Sequence, residues 1–156
     1  MPKLKIGISV YSKKDFIFLK KLECIEIIQL AYNPLQKKIF EYFVNEINTE
    51  KRFKLQIRSI FMQGLLLAND IQKYNINDSL KEYHKKWIRF VESTIYSSNS
   101  ICIDFAKKSK ADQIIVGIDS QIQFEEFLAI FKRTTNIIVP NFITPENIND
   151  ARHWTK

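Results

Sequence analysis

Glycine is scarce: three residues in 156. The chain holds no Gly-rich P-loop and no G-x-G-x-x-G turn, which excludes two common backbone cradles for nucleotide phosphates. Cysteine is as rare. Cys24 and Cys102 stand far apart with no C-x-x-C pair, and each lies in apolar company. Both read as buried, reduced thiols of a cytoplasmic protein. His84 and His153 form no metal-ligand spacing with them. No Ser/His/Asp set carries a nucleophile-elbow signal. The longest apolar runs fall far short of a bilayer span, and Met1-Pro-Lys-Leu-Lys5 leads straight into an apolar strand rather than a secretory segment.

What remains is an ordinary globular composition, 46% hydrophobic and 26% charged, of a size that buries a real core. The net charge of +7 would suit a polyanion. The lysines, however, are spread through Lys13-Lys14, Lys20-Lys21, Lys37-Lys38, Lys85-Lys86 and Lys107-Lys108, on the polar sides of helical patterns. No interleaved aromatics accompany them, so neither nucleic acid nor membrane is the expected partner.

Four short β-rich runs stand out: Leu4–Val10, Cys24–Leu30, Leu55–Ile60 and Gln113–Ile118. Helical patterns lie between them. Phe16, Leu19 and Leu22 mark one apolar face, and Ile39, Phe40, Phe43, Val44 and Ile47 a second. A capping box at Ser79-Leu-Lys-Glu82 predicts a helix with Leu80, Tyr83, Trp87, Phe90, Val91 and Ile95 on one face. Ser97–Ser100 punctuates, and 101–108 reads as another helix. A second box, Ser120-Gln-Ile-Gln123, predicts a helix with Phe124, Phe127, Leu128 and Phe131 inward. The tail from Arg133 reads as extended loop.

Strand and helix in alternation predict an α/β fold of parallel β/α units. Right-handed crossovers place all four strand ends on one side. Residues 1–156 then form a single incomplete domain, half of a (β/α)8 barrel, since a full one needs roughly 250 residues. Half a barrel carries two unpaired strand edges and an apolar concave face awaiting closure.

The strand ends gather Ser9, Gln29, Arg58-Ser59 and 117–120. Gln29, inside the apolar run Ile27-Ile28-Gln29-Leu30, needs a hydrogen-bond partner. Arg58 needs an anion, from a ligand or from an internal carboxylate. Gly64, before three leucines, marks a turn whose exposed amides suit a pyrophosphate. Ser120 and Gln123 read first as helix caps, with the positive helix end as an anion site beside them. Glu125-Glu126 reads as a surface pair.

Four motifs in order resemble the aldo/keto reductase superfamily. Gly7-Ile-Ser9-Val-Tyr11 is similar to its fifth-strand motif, and Gln29 with Tyr32-Asn-Pro-Leu35 to its sixth. Arg58-Ser59 with Gln63-Gly64-Leu65 resembles the seventh-strand loop. Val116-Gly-Ile-Asp-Ser120 with Gln123 and Glu126 resembles the eighth strand and its helix. Asp150-Ala-Arg-His-Trp154 is like the ending of some members. The resemblance implies the carboxyl-terminal half of an NAD(P)H-dependent carbonyl reductase. The family's catalytic Asp, Tyr, Lys and His lie on the first four strands, so no residue of this chain takes a catalytic role. It further implies that Ser9 and Gln29 contact the nicotinamide carboxamide, with Arg58 where many members stack an aromatic. Ser59, Gln63, Gly64 and Leu65 would wrap the pyrophosphate. Ser120, Gln123 and Glu126 would hold the adenosine end beside Gly117, which stands where a Lys is frequent. The cofactor is NADP or NAD. The implied partner is a separate amino-terminal half or a second copy; a catalytically silent remnant is the alternative.

Overall fold

The computed structural model describes residues 4–19, 22–47, 52–145, 148 and 154. Four parallel strands form one sheet in sequence order: β1 (Ile6–Val10), β2 (Ile25–Ala31), β3 (Lys54–Arg58) and β4 (Gln113–Ile114). Between them run α1 (Phe16–Leu19), α2 (Lys38–Tyr42, continued by a wider π turn over Phe43–Ile47), α3 (Asp78–Glu92) and α4 (Ser98–Lys107); α5 (Gln121–Phe131) follows β4. Sequential order with parallel pairing is the topology of half a TIM-type barrel.

Alternation along the strands separates two faces. Ile28, Leu30, Leu55 and Ile57 are buried against the helices, with Phe16, Ile39, Phe40, Phe43, Ile103 and Ala106 packed beneath them. Gln29 and Gln56 lie on the opposite, concave side. The register pairs Ser9 with Gln29, Gln29 with Gln56, and Gln56 with Gln113. Their side chains join into one hydrogen-bonded row. The Ser9 hydroxyl donates to Gln29 Oε1 (3.0 Å), Gln29 Nε2 to Gln56 Oε1 (3.2 Å) and Gln56 Nε2 to Gln113 Oε1 (2.7 Å). The expected apolar concave face is therefore corrected: its middle row is a ladder of amides. Each amide is solvated by the next, which removes the cost of facing it inward.

Near the start of β1 the pairing slips, so that Ile6 faces Ile25 and Gly7 faces Ile27. A Cβ at Gly7 would lie 2.9 Å from Ile27 Cβ and 3.0 Å from its carbonyl oxygen. Only glycine permits that approach.

A second core lies over the carboxyl-terminal side of β3. The turn Leu65–Leu67, α3 and α4 enclose Trp87, Leu80, Met62, Ile101 and Cys102, together with Ile148 and Trp154. Trp87 Nε1 donates to Leu66 O at 2.9 Å. His84 Nε2 lies 3.0 Å from Leu65 O and 2.9 Å from Ala68 O. Two carbonyl partners require that nitrogen to carry the proton. Within α4, Asp104 accepts from Thr135 N (3.2 Å), Thr135 Oγ1 (2.7 Å) and Lys108 Nζ (2.6 Å), fixing the segment after α5.

Several boundaries differ from expectation. Asn77, not Ser79, caps α3, its Oδ1 accepting from Leu80 N at 2.9 Å. An earlier cap of equal quality leaves Ser79 inside the first turn. Ser97 caps α4 by accepting from Ser100 N, so Ser98–Ser100 are helical rather than a break. The hydroxyls of Ser93 and Thr94 donate to the carbonyls of Phe90 and Val91, α3 ends at Glu92, and Ile95 stands exposed beyond it. Leu22 lies past the end of α1 and is partly exposed. Cys24 is exposed, not buried, because it precedes β2 on the surface. The pairing of β4 extends only to Ile115, whose amide donates to Ile57 O; β3 ends one residue later and leaves nothing for 116–118 to pair with. The greatest difference is α5. Phe124, Leu128 and Phe131 are exposed, and no residue of that helix is buried. The sheet stops at β4, so among the described residues no further layer covers its apolar side.

Candidate functional site

In parallel β/α folds ligands sit beyond the carboxyl ends of the strands. There the chain from Ser59 to Gly64 makes an uncommon turn. Ser59, Met62, Gln63 and Gly64 all have left-handed backbone, with φ of 56°, 51°, 55° and 82°. Three of the four are not glycine, which stores strain of order 1 kcal/mol or more at each. The turn is held from several sides. Asn33, fully buried, donates from Nδ2 to Ser59 O at 2.9 Å while its Oδ1 accepts from Leu35 N and Gln36 N. Met62 N donates to Ser59 O, and Leu66 N to Phe61 O. Tyr32-Asn33-Pro34-Leu35 is thus a brace for the turn. Among the described residues the amides of Gln63 and Gly64 have no acceptor within the protein. Successive left-handed residues with free N–H groups form an anion-binding concavity.

The turn borders a cavity of about 670 Å³ between the ends of β3 and β4 and the start of α5. Its wall includes Arg58, Ser59, Gln63, Gly64, Gly117, Gln123 and Glu126, along with Asn99, Asp119 and Phe127. The volume is that of a small-molecule site. A larger cavity, about 850 Å³, lies between residues 69–76 and α3 and touches no strand end. The smaller one has the position that the fold gives to ligands.

Arg58 lies over the Tyr11 ring at 4.6 Å from its centroid, and its Nη1 donates to Ser59 Oγ at 3.2 Å. Its Nη2 is buried without a hydrogen-bond partner. No carboxylate lies within ion-pair distance of Arg58 among the described residues. Of the two expectations for this guanidinium, the internal acid falls away. Asn99 Oδ1, on the first turn of α4, is likewise buried and unpartnered. A donor and an acceptor left orphaned around one cavity suit a ligand that offers both functions.

The other end is differently charged. Ser120 caps α5 and accepts from Gln123 N at 3.2 Å, and Gln123 Oε1 accepts from Asp119 N at 2.9 Å. Glu125 and Glu126 are both exposed, as a surface pair should be; Glu125 accepts from Gln121 Nε2, and Glu126 also lines the cavity. A side chain at Gly117 would meet nothing within 4 Å, so this stretch of wall is open.

Four expected residues lie elsewhere. Ser9 and Gln29 belong to the amide ladder, Leu65 is packed in the second core, and Ser120 acts as a cap beside the cavity. Tyr32 is core: burial, with Glu41 nearby, pushes its hydroxyl up to about 12. Burial also pushes the Cys102 thiol up, leaving it inert. Asn99 and Asp119 went unmarked as individual residues, because a polar residue in a first turn or a loop carries no periodic signal. Gln56 and Gln113 were readable in principle, since both sit one residue out of phase with the face turned to the helices, as Gln29 does.

The sheet order and the crossovers, with a cavity at the strand ends, define four β/α units of a TIM-type barrel fold. A solved structure with this fold is the aldo-keto reductase AKR11C1 from Bacillus halodurans in its holo form. The two superpose with a TM-score of 0.60 at 17% identity, over 83% of this chain and 45% of that one. The present chain thus spans less than half the length of that structure. No protein-family model matches the sequence, and no curated protein matches it significantly.

Proposed function

We propose that the chain is the cofactor-binding half of an NAD(P)H-dependent aldo/keto reductase-like oxidoreductase, a single incomplete domain equivalent to strands 5–8 of the barrel. One observation carries this reading. Seven of the eleven residues assigned by resemblance, Arg58, Ser59, Gln63, Gly64, Gly117, Gln123 and Glu126, line one cavity at the strand ends. The left-handed turn and Arg58 offer donors to a pyrophosphate. Asp119 and Glu126 offer acceptors to ribose hydroxyls. The orphaned Arg58 Nη2 and Asn99 Oδ1 suit a polar ring substituent. When bound, the nicotinamide supplies hydride to a carbonyl carbon. This chain's residues hold and orient the dinucleotide and shield it from water, while the proton donor comes from a segment outside it.

The amide ladder tests the assignment of Ser9 and Gln29. Their polar atoms already serve each other and Gln56, so contact with a carboxamide uses the lone pairs of the Ser9 hydroxyl and the second lone pair and second N–H of the Gln29 amide. Titration of the chain with reduced dinucleotide, followed by cofactor fluorescence, checks the proposal. Saturable binding that Gly64→Val and Arg58→Ala weaken supports it. Binding untouched by either variant means the ligand sits elsewhere. Carbonyl reduction is expected only when four further β/α units bearing the Asp, Tyr, Lys and His are added in trans.

One observation favours a second reading, a catalytically silent barrel closed by a second copy. The ladder ends in an unused Gln113 amide at the β4 edge and begins with the Ser9 hydroxyl at the β1 edge, and a hydroxyl both gives and takes a hydrogen bond. Head-to-tail pairing of two sheets would join those ends around a two-fold axis. Size-exclusion chromatography coupled to light scattering separates the readings: a stable dimer without reductase activity, even after an amino-terminal half is added, selects the second.

A further inference from the structure

Resting on the proposed dinucleotide site, we infer that the cavity selects NADH over NADPH, against the third phosphate that the latter carries at its adenosine ribose. The argument is one of charge placement. Among the described residues lining the cavity, Arg58 is the sole cation. It stands at the β3 end, beside the left-handed turn with the free amides of Gln63 and Gly64. That end is complete with one pyrophosphate. The opposite wall, from β4 to α5, carries the carboxylates of Asp119 and Glu126. Neither carboxylate has an ion pair or a side-chain hydrogen bond among the described residues.

A free carboxylate facing a ribose accepts from its hydroxyls, the arrangement by which NAD is told from NADP in other dinucleotide folds. A phosphate ester at the same place brings a charge of about −1.5 to −2 against both acids. No lysine or arginine among the described lining residues is placed to offset it. The helix end offers only neutral donors: the amides of Gln123 and Phe124 at the start of α5 already donate to Ser120, which leaves those of Gln121 and Ile122. The wall thus offers a third phosphate only neutral donors, next to two negative charges.

The test is a pair of equilibrium titrations of the whole chain, NADH and NADPH, at low ionic strength so that exposed charges are not screened. NADH is expected to bind at least about tenfold more tightly, a difference of about 1.4 kcal/mol. Asp119→Asn with Glu126→Gln narrows that ratio, and Glu126→Arg inverts it. Both acids are exposed, so these substitutions leave folding unchanged, which circular dichroism confirms alongside. Equal or tighter binding of NADPH overturns the inference and leaves the dinucleotide site standing. A preference for NADH that the paired substitution does not alter also overturns it, since the acids are then not its cause. If neither nucleotide binds, the proposed function and the inference fall together.

Discussion

The middle of the sheet and its two ends obey different rules. In β3, and in β2 from Ile28 onward, every second side chain is buried beneath helices, and the intervening amides satisfy one another across the concave face. At the ends, Leu4 is 82% exposed and Ile6 47% on the β1 side, while Ile122 is 69% and Phe124 48% exposed on the α5 side. All are large apolar residues in elements that pattern as core. The contrast teaches that the interior is closed by the chain itself, whereas the two flanks have the composition of an interior without its cover.

Substitutions that weigh one region against the other make this contrast quantitative. Trp87→Ala empties a fully buried site and orphans Leu66 O, and is expected to cost about 3–5 kcal/mol in urea or thermal unfolding. A cost under 1 kcal/mol would mean that the second core is loosely packed. Asp104→Asn ranks next. Burial pushes the Asp104 carboxyl upward, but Lys108 and the two Thr135 donors outweigh it and hold the group below its ordinary value. A depressed carboxylate stabilises fully above the unfolded value near 3.8, and that contribution is lost as pH falls through the native one. The substitution should cost about 1–3 kcal/mol at neutral pH and flatten the acid limb of the stability curve.

Gly64→Ala forces a Cβ onto backbone at φ 82°, 3.4 Å from the Tyr74 hydroxyl, and should cost about 1–2 kcal/mol, read as a lowered denaturation midpoint. His84 gives a pH signature of its own. Burial lowers its value despite the pull of the Ala68 and Leu65 carbonyls. Below about 6.5 the unfolded chain takes up a proton that the native imidazole refuses, so stability should decline as pH drops from there to the native value. His84→Gln removes that slope; a slope that persists would assign it to another group. Smallest of all, Phe124→Gln on the uncovered face of α5 should change stability by less than about 0.5 kcal/mol in the isolated chain. The same substitution should weaken association with any barrel-completing partner, and an equal loss in both measurements would show that α5 is already covered.

Much of this architecture was legible because strand periodicity and helix spacing are local. The four strands and their parallel pairing follow from the repeated alternation of strand and helix patterns. The cap of α3 was misplaced because Asn77 and Ser79 are equally good caps, and only packing chooses between them. The burial of Phe124 and Phe131 was overestimated because periodicity reports which side of a helix is apolar, not whether anything lies against it. At the site, Arg58, Ser59, Gln63 and Gly64 were readable from one unusual segment. The left-handed geometry at Ser59 was not, since it depends on Asn33 reaching across from the neighbouring strand end.

The row of amides on the concave face has a consequence for motion. Gln56 meets an amide on each side, oxygen to nitrogen, so turning it alone sets N–H against N–H at Gln29 and oxygen against oxygen at Gln113, while turning Gln29 or Gln113 alone opposes like groups at its one contact with Gln56. Gln29, Gln56 and Gln113 therefore reverse together or not at all, and the Ser9 hydroxyl, by rotating, accommodates both senses. The face is a small two-position relay whose polarity spans the sheet. A single polar group arriving at either end chooses the direction for every member.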